Sequence, residues 1–76
     1  MFTPTPSHEL KAQAAALQSK AEKHSRWGLI LANAGEADLA GEHFSRAETE
    51  AHTASMLYRA AHVIGSFERE QATRAA

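Results

Sequence analysis

The sequence predicts an all-α fold: a helical hairpin, with a third short helix at its end, associated into a dimeric bundle. Three observations lead there. Between Gly28 and Ala47 an apolar helical segment runs into Asn33-Ala34-Gly35, and a second segment begins at Glu36. On both sides of this turn, apolar and small residues recur in alternating steps of four and three, which places them on one helical face. The chain has 76 residues and no cysteine. That length allows one domain, burying about 60% of the surface its unfolded form exposes, with no disulfide or thiolate metal site to supplement the core.

Residues 1–6 read as a disordered start, because Pro4 and Pro6 alternate with Thr3 and Thr5 and oppose a helix. Thr5 can cap the first helix with Pro6 at its first position, or Ser7 can cap it with Glu9 in the first turn. The first arm is expected over residues 7–33. Leu10, Ala14, Leu17, Ala21, His24, Gly28 and Leu31 share its inner face, which Trp27, Ile30 and Ala34 widen near the turn. Gly28 inside this helix costs about 1 kcal/mol relative to Ala.

Gly35 suits the position just past a helix end, where a left-handed backbone penalises any Cβ. Glu36 and Asp38 then fall in the first turn of the second arm, where the helix dipole favours negative charge. Ala40, Phe44, Ala47, Ala51, Ala54, Tyr58 and Ala61 continue the same rhythm, with Phe44 and Tyr58 as bulky wedges among small residues. From Met56 a second stripe appears: Met56, Leu57, Ala60, Val63, Ile64 and Phe67. Either one long helix runs from Glu36 to about Glu70, or it breaks near His52-Thr53-Ala54-Ser55, where Thr53 or Ser55 can cap a third helix. The broken form is the one adopted, with arms 36–51 and 54–70. The single helical domain thus spans 7–70, and residues 71–76, without a core residue, form a frayed tail.

Charge and motifs narrow the function. The formal net charge is −1. Lys11, Lys20, Lys23 and Arg26 make the first arm mildly basic but are interrupted by Glu9 and Glu22, so binding to nucleic acid is expected to be weak. Glu36, Asp38, Glu42, Glu48 and Glu50 against Arg46 make the start of the second arm acidic, a pattern able to pair two chains head to tail. The five histidines, His8, His24, His43, His52 and His62, contain no pair spaced by three or four, so no metal site is expected. A two-helix site joining His24 to residues of the second arm is the exception left open. No nucleophile–base arrangement or Gly-rich phosphate loop is present, and a chain this small encloses no water-excluding pocket. No enzyme activity and no cofactor are therefore expected. Met1–Pro6 lacks the build of a signal peptide and no apolar run reaches membrane-span length, so a cytoplasmic location away from the membrane is expected.

The spacing of Gly28, Gly35, Ala40, Phe44 and Ala47, with Glu36 after the turn, resembles one unit of the tetratricopeptide repeat. Leu31 replaces the usual aromatic, while His24, Ala37 and His52 stand where that family has Trp, an aromatic and Pro. The resemblance implies a two-helix unit that is stabilised by stacking on a neighbour. Gly35, Glu36, Leu39, Ala40, Phe44, Ala47, Glu48 and Ala51, followed by Tyr58, Arg59 and Ala60, also resemble the small bacterial transcription regulators of the ANR/PerC type. Their C-terminal Cys is absent here. That resemblance implies a short helical protein that binds a transcription activator or another regulator.

The hairpin is expected to pack through Trp27, Gly28, Leu31, Gly35, Ala40, Phe44 and Ala47. Met56, Tyr58, Val63, Ile64 and Phe67 have no cover in a two-helix fold and are the expected partner-binding residues. The function expected is a non-enzymatic protein–protein interaction module that binds and modulates a regulatory protein or nucleoprotein complex. A homodimer, most simply a four-helix-type bundle, is expected to cover the second stripe. The alternatives are a DNA-associated regulator using the basic first arm and a phage- or plasmid-encoded inhibitor of a host machine.

Overall fold

The structure, a computed structural model, describes residues 5–75. It contains two antiparallel helices, α1 (Ser7–Asn33) and α2 (Ala37–Ala75), in an elongated hairpin with principal extents of 61 × 20 × 13 Å. The part of the expected disordered start that covers residues 1–4, and the last residue of the expected tail, lie outside the described residues.

The turn is built by backbone chemistry. Gly35 takes φ +84°, the left-handed conformation that only glycine adopts without strain. Its N–H donates to the Ala32 carbonyl at 3.1 Å, and the Glu36 N–H donates to the Leu31 carbonyl at 2.9 Å. These are the paired bonds of a Schellman cap, and they satisfy carbonyls that the end of α1 would leave bare. The Glu36 carbonyl then accepts the Ala40 N–H at 2.9 Å, so α2 starts directly from the same turn.

The seam between the helices is made of the smallest residues. Ala14, Ala21 and Gly28 of α1 and Ala40, Ala47, Ala54 and Ala61 of α2 are buried, each seven residues from the next in its helix. A sustained seven-residue repeat keeps one stripe of each helix on its partner. The larger seam residues, Leu10, Leu17, Leu31, Leu57 and Ile64, are only half-buried, and among the described residues no large side chain is fully buried.

Three expectations are corrected. First, α2 runs without a break through 52–55, so there is no third helix. The seam explains this: Ala47, Ala54 and Ala61 all face α1, and a break between them would expose that stripe. Hydroxyls within α2 bond back to the preceding turn, as Thr49 Oγ1 does to the Ser45 carbonyl at 3.1 Å. Second, α2 stays helical through residues 71–75, although these are all exposed. Third, α1 has no side-chain N-cap from Thr5 or Ser7. Pro6 occupies the cap position with φ −58° and ψ 147°, and Ser7 is the first helical residue. Its free N–H and its hydroxyl instead donate to the Glu68 carboxylate of α2, at 3.2 and 2.6 Å. The far end of α2 therefore caps the start of α1, and these hydrogen bonds hold the Glu68 carboxyl below its ordinary value.

Candidate interaction surface

Side chains next to the seam fall on two sides. Successive helical residues turn by about 100°, so the residues three after each buried alanine lie on one side and those four after it on the other. In α2 the first set is His43, Glu50, Leu57 and Ile64, all half-buried. The second set is Phe44, Ala51 and Tyr58, which are more exposed, and Gly65, which is buried.

This sorting corrects the inner face expected for α2. Phe44, Ala51 and Tyr58 flank the seam, while His43 and Glu50 occupy it. Phe44 still packs into the hairpin, with its ring against the backbone of Gly28. The Tyr58 hydroxyl reaches across to Gln18 Oε1 at 3.3 Å.

The seam carries one polar layer. His24 Nδ1 donates to Glu50 Oε1 at 2.5 Å, with both side chains mostly buried. The His43 ring lies against His24, with centroids 5.4 Å apart, and its own buried Nδ1 has no hydrogen-bond partner. Here His24 does meet residues of the second arm, as the sequence left open. Among the described residues, no group of three His, Asp or Glu is arranged to hold a metal ion. No helix is long and apolar enough to cross a membrane.

Of the residues expected to pack the hairpin, Gly28, Ala40 and Ala47 are buried, Leu31 is half-buried and Gly35 makes the turn. Trp27 does not pack: it is 56% exposed, as is its neighbour Ile30 to a similar degree. Both lie too far around α1 to reach a helix held close by alanines. Of the expected partner-binding residues, Met56, Tyr58, Val63 and Phe67 are exposed, with Phe67 at 51%. Ile64 is the exception, since it lies half-buried in the seam opposite α1.

Two exposed apolar patches result. Trp27 and Ile30 project beside Leu31 near the turn, with Leu39 exposed at the start of α2. Met56, Val63 and Phe67 follow the outer face of α2 toward the open end, beside seam residues Leu57 and Ile64. Sequence reasoning missed Leu39 and the outward turn of Trp27. The repeat of alanines every seven residues was the signal, because it assigns every other position to a side.

Comparison of the chain with family models, curated proteins and solved structures finds no match in any of the three. What the fold and surface define is an all-α helical hairpin that leaves several large apolar side chains exposed.

Proposed function

We propose that this hairpin is a non-enzymatic protein–protein interaction module that binds and modulates a regulatory protein or a nucleoprotein complex. The observation that carries the reading is the outward placement of Trp27, Ile30, Leu39, Met56, Val63 and Phe67 on a chain that fully buries no large side chain. Contiguous exposed apolar surface on a small protein marks association, and Trp and other aromatics dominate the energy of such contacts. The likeness of Gly35, Glu36, Leu39, Ala40, Phe44 and Ala47 to small bacterial regulators supports a partner of that kind.

The test is affinity capture from lysate of the source cell with wild-type, Trp27→Glu and Phe67→Glu baits, read by mass spectrometry. Both residues are exposed, so both variants keep the hairpin, which circular dichroism verifies. One or two proteins held by wild type and lost by both variants are the expected result. Identical captures from all three baits overturn the reading. Ile64→Glu is unsuitable, because it places a charge in the seam.

A further inference from the structure

We propose that α2 pairs antiparallel with α2 of a second copy, about a two-fold axis level with Thr53, on the side of the hairpin that carries Phe44, Ala51 and Tyr58. This deepens the self-association expected of the module and places it on a face separate from the Trp27 and Phe67 patches.

The first support is charge. On this face of α2 acidic Glu48 precedes Thr53 and basic Arg59 and Arg69 follow it, while Asp38, also before Thr53, is turned farther outward. None of these four forms an ion pair among the described residues. Reversing a second copy about Thr53 brings Glu48 beside its Arg59, and Asp38 beside its Arg69. Two-fold symmetry makes each contact twice. Complementary charge of this kind sets orientation and suppresses the parallel alternative.

The second support is shape. Equal steps from Thr53 pair Ala51 with Ser55, Glu48 with Tyr58, and Phe44 with His62. The small residues meet small ones, which permits close approach, and the Phe44 ring meets an imidazole. A Cβ added at Gly41 would meet no atom within 4 Å, so nothing in the hairpin requires a glycine there. Two shallow hollows flank Gln18 and Ala51 on this side. One carries Arg59 and His62, the other Glu22, Arg26 and Glu48, and the two-fold axis sets Glu48 of one copy against Arg59 of the other.

The third support is area. The chain exposes 5798 Å². A folded monomer of 8.2 kDa exposes about 4500 Å². The excess of roughly 1300 Å² exceeds the about 800 Å² that each partner contributes to a standard interface.

Sedimentation equilibrium of the purified chain, with Glu48→Arg, Arg59→Glu and the double variant, tests this. The three variants keep the hairpin, because both residues are exposed. Wild type is expected to be a dimer, each single variant to weaken it at least tenfold, and the double variant to recover it. A second measurement uses the absence of native cysteine: a mixture of Ala51→Cys and Ser55→Cys chains is expected to form the crossed disulfide under mild oxidation. A monomeric wild type overturns the inference and leaves the partner reading intact. A dimer unaffected by either charge reversal but lost in Phe67→Glu overturns it too, and assigns the apolar patches to self-association.

Discussion

Phe44 lies with its ring against the bare backbone of Gly28, so close that a Cβ on Gly28 would meet Phe44 Cε1 at 2.6 Å. The two residues hold the turn end of the hairpin together from opposite helices. They also set two effects against each other when Gly28 is replaced. Ala gains about 1 kcal/mol of helix propensity over Gly, but its methyl group displaces a half-buried ring. In the wild-type background Gly28→Ala is expected to destabilise by about 1–2 kcal/mol. In a Phe44→Ala background the same change is expected to stabilise by up to about 1 kcal/mol. Urea titrations of the four proteins close the cycle, and the change of sign is the diagnostic result.

Gly35 is held at φ +84°, and no atom lies within 4 Å of the place a Cβ would take. Space is therefore not what demands glycine; backbone conformation is. Gly35→Ala is expected to cost about 1–2 kcal/mol, and Gly35→Asn less, because Asn tolerates that conformation better. Thermal unfolding followed at 222 nm separates the two.

The His24–Glu50 pair lies in the seam, beside a hollow that also carries Arg46. Glu50→Ala leaves the imidazole half-buried and unpaired, and is expected to cost about 1–3 kcal/mol. Changing both residues to Leu replaces the layer with apolar contact, and is expected to recover stability to wild type or beyond. Denaturant midpoints of the single and double variants read this directly.

The clasp between Ser7 and Glu68 brings a pH dependence. The Ser7 hydroxyl and N–H lower the Glu68 carboxyl in the folded chain. A group lowered on folding contributes stability at and above its ordinary range, and that contribution is lost as pH falls through the folded value. Amide protection over the first turn of α1 is therefore expected to be full at neutral pH. It declines only on acidification past the ordinary carboxylate range, because the folded carboxyl is lowered. In Glu68→Gln, protection of the same amides is expected to be weak at every pH. Hydrogen exchange read by NMR checks both, and equal protection in the two proteins would show that the clasp does not hold.

Much of the fold was legible because the buried positions are apolar or small and evenly spaced. Ala14, Ala21, Ala40, Ala47, Ala54 and Ala61 all emerge from spacing alone, as does Gly35 from its place after Asn33-Ala34. The misassigned positions of α2 have a definite cause. Stepping four residues from Ala40 or Ala47 meets Phe44 or Ala51, and stepping three meets His43 or Glu50. Hydrophobicity selects the first pair. Packing selects the second, because His24 supplies the partner that lets Glu50 enter the seam. The break expected near Thr53 came from local capping propensity, which a seam twice that length overrides. Glu68 as the cap of α1 could not be read locally, since its partner lies at the other end of the chain.

A seam closed by methyl groups also governs how this protein meets heat. Alanine has no rotamer freedom to lose on burial, so the entropy given up in folding is nearly all backbone. The apolar surface withdrawn from water is correspondingly small, and it is this surface that sets the heat-capacity increment of unfolding. In ordinary domains the increment is about 12–15 cal/mol/K per residue, and in this hairpin it is expected to fall below that range, which calorimetry checks. The stability curve is then shallow and the thermal transition broad. For a chain of that kind, any molecule that binds the folded form alone shifts the folded population by mass action.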